Sequence, residues 1–169
     1  PFSDAAAVAQ HLDRHKIRLE GLGPYAVVAT LVLNSALRLY SMYKTEDEEE
    51  YKKYSRLYLV LISICILCSS YTSFVYTMIS VYCKTALGKG LDGNYLAFFH
   101  ATAVDRWIGF RALQLSLYSF LAAFALKLKL QLKEDVSGQM FFMAVAVLIL
   151  SISIRLIRIG QLAKTLIFS

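Results

Sequence analysis

The chain has 169 residues, 57% hydrophobic and 18% charged, with a formal net charge of +6. Soluble domains average about 45–50% apolar and about a quarter charged residues, so this composition excludes a disordered chain and an ordinary water-soluble one. Its 18 Lys and Arg fall mostly in gaps between apolar runs, which points to anionic lipid headgroups and excludes a nucleic-acid-binding face.

The pattern predicts an all-α integral membrane protein with four transmembrane helices and an N-terminal amphipathic interfacial helix over residues 1–22. Ser3 or Asp4 caps that first helix. Val8, Leu12 and Leu19 share one face, and Asp13, Arg14, Lys16 and Glu20 supply the polar positions. His11 and His15 lie one turn apart without a third metal ligand, so they read as a solvated or headgroup-facing pair. Gly21 and Gly23 then break the helix, and Pro24 suits the first turn of the next.

A transmembrane domain follows over residues 24–164. Its first span covers 24–43, with Arg38 near the end, where the guanidinium can snorkel to the interface. The acidic run Glu46, Asp47, Glu48, Glu49 and Glu50 complements a helix start. Glu48 with Lys52 and Glu49 with Lys53 have the favourable i,i+4 order. Residues 46–56 therefore form a projecting helix, and the acidic run is a candidate partner-docking surface. The second span, 57–83, has 27 residues without a charge. Joined with the projecting segment it would be about 57 Å long, well beyond a hydrocarbon core of about 30 Å.

Residues 84–106 are expected to be the longest loop, punctuated by Gly88, Gly90 and Gly93. Asp92-Gly93-Asn94 favours a turn, and Tyr95–Val104 suits a short interfacial helix carrying Phe98, Phe99 and His100. The third span is 107–126, with Arg111 near its start and Lys127, Lys129 and Lys133 beyond it. The fourth is 136–154, its helix continuing through Lys164. Tyr40, Tyr43, Tyr54 and Tyr58 mark one interface, and Tyr25, Tyr82 and Trp107 the other. Four spans put both termini on one side, with 10 Lys and Arg against 8 opposite, too even a split to orient the chain.

Arg155, Arg158, Gln161 and Lys164 recur every third residue, as in a voltage sensor, but such a ladder needs acidic partners on neighbouring helices. Spans two and three supply none. Arg155, Arg158 and Lys164 therefore join Arg38, Trp107 and Arg111 as lipid and interface residues. Cys65-x-x-Cys68 is half of a metal or redox motif without a second pair, so Cys65, Cys68 and Cys83 read as small packing residues. Ser69/Ser73 and Ser119/Ala123 have the spacing of close helix packing. Asn34 and Arg38 lie one turn apart, with Thr30 extending their face, and could line a polar path or hold a lipid headgroup. Asn34 and Gln114 also have side chains able to ligate pigment, although interhelical hydrogen bonding is their ordinary role. The His100 imidazole could ligate the magnesium of a chlorin, against a plain packing role. Gly88-Lys89-Gly90 lacks phosphate-loop spacing, and Asp105-Arg106 reads as a local ion pair. With no catalytic array assembled, the chain is not expected to be an enzyme.

The stretch Val81–Phe120, VYCKTALGKGLDGNYLAFFHATAVDRWIGFRALQLSLYSF, resembles small four-span membrane proteins of plants and algae. The resemblance implies a photosynthetic eukaryote and a thylakoid membrane of a plastid. It further implies an accessory subunit of a photosystem–antenna assembly; chlorophyll, carotenoid and lipid would then fill its outer grooves, with His100, Asn34 and Gln114 the candidate pigment ligands. The paired Glu/Arg helices of the chlorophyll a/b antenna family do not occur here. The expected function is thus a non-catalytic subunit packed against larger membrane proteins. The competing class is a small ion channel or transporter, motivated by the Asn34/Arg38 face and the Arg155/Arg158 end. A third reading is a regulator recruited through Glu46–Glu50.

Overall fold

The computed structural model describes Ile17, residues 19–42 and 49–131, and seven helical positions: Met143, Val147, Leu150, Ser151, Ile154, Arg155 and Arg158. Every described element is helical: α1 (Leu22–Ser41), α2 (Glu49–Gly88), α3 (Asp92–Ala101) and α4 (Ala103–Gln131). Among the described residues, three helices, α1, α2 and α4, are long and apolar enough to cross a membrane. Most of the expected fourth span at 136–154 lies outside the described residues, as do residues 1–16 and Lys164.

The expected break is confined to one turn residue, Gly21, and Gly23 lies inside α1. The Gly21 N–H donates to the Ile17 carbonyl at 3.2 Å, and Gly21 itself has helical angles. Glycine tolerates that conformation, and Pro24 sits in the first turn of α1, where a backbone N–H has no intrahelical acceptor to lose. In α1 the buried residues are Leu22, Ala29 and Ala36, one every seventh position. Two of the three are alanines, which let the neighbouring backbone come close.

α2 is the central element: α1 and α4 both pack along it and touch each other little. At 40 residues it is about 60 Å long, so residues 49–56 and the expected second span are one continuous helix, which runs five residues past Cys83. Its buried positions are Ser55, Tyr58, Ile62, Cys65, Ser69, Thr72, Tyr76, Ile79 and Cys83. They step alternately by three and four, a 3.5-residue period that keeps one seam facing its neighbours and winds the helices left-handedly.

The seam has three layers. Toward the α1 C-terminus, Ala36, Tyr58, Ile62, Cys65 and Ala123 form an apolar cluster. Toward the α2 C-terminus, Leu19, Leu22, Tyr76, Ile79, Cys83, Tyr95 and Phe99 form a second. Between them lies a layer of hydroxyls. Ser69 and Ser116 are 2.6 Å apart, the Thr72 hydroxyl donates to the Gly109 carbonyl at 3.0 Å, and Thr30 and Ser73 bond at 2.9 Å. Each such bond between helices contributes about 0.6 kcal/mol in a membrane, and each fixes a register. The small-residue spacing at Ser69/Ser73 thus serves close packing. A Cβ on Gly109 would lie 3.2 Å from the Tyr76 ring, a contact tight enough that the ring would have to shift by a few tenths of an ångström, so α2 and α4 meet closely there.

The expected loop over 84–106 is a correction: it is mostly helix. Its turn is confined to Lys89–Leu91, where the Gly90 N–H donates to the Leu87 carbonyl and the Leu91 N–H to the Ala86 carbonyl, both at 3.0 Å. With Gly90 at φ +70°, this is the Schellman closure of α2. Asp92-Gly93-Asn94 is therefore the first turn of α3 and not a loop turn, with Asp92 complementing the helix dipole. One non-helical residue, Thr102, separates α3 from α4. The third span is correspondingly longer than expected, because Lys127 and Lys129 continue it and the Lys129 ammonium stands 3.9 Å over the Tyr54 ring.

Candidate functional site

The outer face of α1 carries an open groove of about 580 Å³ lined by Asn34, Leu37, Arg38, Tyr40 and Ser41. Leu22, Ala29 and Ala36 turn inward, and helical spacing therefore turns Asn34 and Arg38 outward, where both are exposed. Asn34 lies seven residues before the end of α1, about 10 Å along the axis. Neither side chain has a hydrogen-bond partner among the described residues. Thr30, the third member of this face, points elsewhere: its hydroxyl bonds Ser73 and the Ala26 carbonyl. The Arg38 carbonyl accepts from the Ser41 hydroxyl at 2.9 Å and from the Met42 N–H at 3.1 Å, which closes α1 beneath the groove.

At the opposite end of the bundle, α3 folds back over the α2 C-terminus. Arg106 is its clamp. The guanidinium stands 3.6 Å over the Phe99 ring, and Nη1 donates to the Thr102 hydroxyl at 3.0 Å and to the Phe99 carbonyl. Carbonyls in the last turn of a helix have no intrahelical partner, so Arg106 satisfies a backbone need beyond the local ion pair expected with Asp105. The Tyr76 hydroxyl donates to the Arg106 carbonyl at 2.8 Å, tying α2 to the start of α4. Under this clamp Tyr95 is fully buried, and its hydroxyl has no hydrogen-bond partner among the described residues.

The three candidate pigment ligands lie on three different helices. Asn34 is in the α1 groove. Gln114 is half-buried on α4, its Oε1 accepting from Arg111 at 3.2 Å. His100 is exposed in the last turn of α3. Trp107 is 61% exposed, and the Arg111 guanidinium lies 5.4 Å from its ring, an aromatic–cation pair suited to a headgroup boundary. Tyr25 meets Tyr76 and Phe110, and Tyr82 meets Phe98. Arg155 and Arg158 are helical and exposed. Glu46, Asp47 and Glu48 lie outside the described residues, while Glu49 and Glu50 open α2. Cys65 is buried with its thiol 3.9 Å from the Ser116 hydroxyl. Among the described residues no three His, Cys, Asp or Glu side chains converge to hold a metal ion.

Sequence reasoning missed Tyr95 and the capping role of Arg106. The available signal for Arg106 was its place four residues after Thr102, within reach of the end of a preceding helix. Comparison with family models, curated proteins and solved structures finds no match to this chain.

Proposed function

We propose that this chain is a non-catalytic subunit that packs into a larger membrane assembly through the outer face of α1. Asn34 carries the reading. Its amide has no partner among the described residues, and an amide left unpaired at membrane depth costs on the order of a few kcal/mol, since lipid tails offer no partner. A helix of another membrane protein can satisfy it. α1 also has the room: 17% of its apolar stretch is buried, against 28% in α2 and in α4. Between the helices, Ser69, Ser116, Thr72 and Thr30 bond to one another's helices rather than lining a path. This supports a packed subunit over a small channel or transporter, which needs polar groups facing an open interior.

The resemblance of Val81–Phe120 makes photosynthetic membranes the first place to look. The partners would be photosystem or antenna subunits in a thylakoid. Lipid, carotenoid or chlorophyll would fill the outer grooves, with His100 the candidate magnesium ligand. The test is mild solubilisation of native membranes, followed by native-size separation with mass spectrometry and absorption spectra of each band. The wild-type chain should migrate with a large complex. Asn34→Leu, which inserts at least as readily in lipid, should migrate free of it. Migration of the wild type as a small colourless species would overturn the reading, and a liposome ion flux abolished by Asn34→Leu would replace it with a channel.

A further inference from the structure

The face of α2 behind its buried seam has its own order. Because the seam repeats every 3.5 residues, the opposite face also runs straight along the helix. Val60, Leu67, Phe74 and Val81 recur there every seventh residue, exposed by 55%, 69%, 72% and 52%. One ridge round, three residues after each of the first three, stand Ser63, Ser70 and Thr77. Ser63 and Thr77 are exposed and Ser70 half-exposed. None of these three hydroxyls has a hydrogen-bond partner among the described residues. Five hydroxyls elsewhere, those of Thr30, Ser35, Thr72, Thr85 and Thr102, bond the carbonyl four residues back. The same row continues to Arg56 at one end and Lys84 at the other, about 42 Å apart and thus beyond a hydrocarbon core of about 30 Å. The row reads charge, Ser, Ser, Thr, charge.

We propose that this face pairs with the same face of a second copy, in a parallel two-fold, left-handed contact between the two α2 helices. Two-fold symmetry about the membrane normal sets every residue opposite its own counterpart at equal depth. A hydroxyl both donates and accepts, so Ser63, Ser70 and Thr77 each pair with themselves. Val60, Leu67, Phe74 and Val81 interlock beside them. Arg56 and Lys84 fall in the headgroup regions, where water separates like charges. A different protein would need polar groups at three matching depths, whereas a second copy has them by symmetry. Lipid tails offer none. This contact uses a different helix from the α1 groove, so the two readings stand or fall separately.

The test is subunit counting of the full, dye-labelled chain in liposomes over a range of protein-to-lipid ratios. The wild type should pair. Ser63→Leu/Ser70→Leu/Thr77→Leu, which keeps an apolar helix, should weaken pairing by roughly tenfold or more, and Asn34→Leu should leave it unchanged. As an independent readout, Ser70→Cys in a Cys68→Ala background should form an intermolecular disulfide under copper–phenanthroline oxidation, and Leu31→Cys on α1 in the same background should not. A monomeric wild type, or a triple-leucine variant that pairs as well as wild type, overturns the proposal. Should that variant fail to insert, the crosslink decides, and equal crosslinking at both positions counts against the contact.

Discussion

Tyr95 concentrates the tension in the α3 clamp. Its ring completes the cluster with Cys83 and Phe99, yet its hydroxyl is buried without a partner among the described residues. A buried unsatisfied hydroxyl costs about 1–3 kcal/mol. Burial, reinforced by Cys83 and opposed by Arg106, pushes its phenol above the ordinary 10.0. The folded state then holds the proton at pH values where the unfolded chain has released it, so stability is retained below about pH 10 and declines as pH rises further. Tyr95→Phe keeps the ring and removes the orphan. It should leave stability unchanged or raise it by up to about 1 kcal/mol, and it should flatten the alkaline decline. Melting curves of the detergent-solubilised protein across that range measure both. A loss of more than about 1 kcal/mol on Tyr95→Phe would mean that the hydroxyl is satisfied. Tyr95 was expected on an interfacial helix, but the five consecutive apolar residues Tyr95–Phe99 give no periodic signal for which side chain turns inward.

At the scale of elements, the turn after α2 separates two glycines that look alike in sequence. Gly90 has φ +70°, where a Cβ is strained whatever the surrounding space, whereas Gly93 lies in the first turn of α3 with nothing near its missing Cβ. Gly90→Ala should therefore destabilise the α2–α3 junction by about 1–2 kcal/mol. Gly93→Ala should stabilise α3 by a few tenths to about 1 kcal/mol. Opposite signs in paired unfolding measurements check the assignment, and equal signs would refute it. The sequence located this junction within a few residues because glycines cluster there. It misplaced the turn because Asp92-Gly93-Asn94 and Gly88-Lys89-Gly90 are both good turn formers. The choice fell to where the α2 hydrogen-bond ladder ends.

For the whole molecule, α2 sets the scale. At 40 residues it exceeds a bilayer core by a factor of about two, so one end must stand in water. The α3 clamp and the Trp107–Arg111 pair lie at the other end of α2, where the opposite boundary is expected. Trp107 is the only tryptophan in the chain. Its fluorescence should be quenched more by lipids carrying a shallow quencher than by lipids carrying one at the bilayer centre. Stronger quenching from the centre would move the boundary past Trp107 and require a different placement of the bundle. The exposure of Trp107 and Arg38 was readable from the sequence, since each sits at the edge of an apolar run. The separation of Asn34, Gln114 and His100 onto different helices was not, because spacing along one helix carries no information about its neighbours.

The all-α architecture with long apolar helices, the continuous second helix and the small-residue contact at Ser69 follow from sequence alone. Each depends on local terms: apolar run length, charge placement and residue volume. The tertiary structure decided which hydroxyls are paired and which are left outside. Ser69 and Ser70 are adjacent and chemically identical, but a 100° turn of the helix puts one against Ser116 and the other on the outer face. The same holds for Arg106, whose task depends on α3 folding back to present its last carbonyls. Hydrogen bonds between elements need partners brought together by packing, and only the packed bundle specifies them.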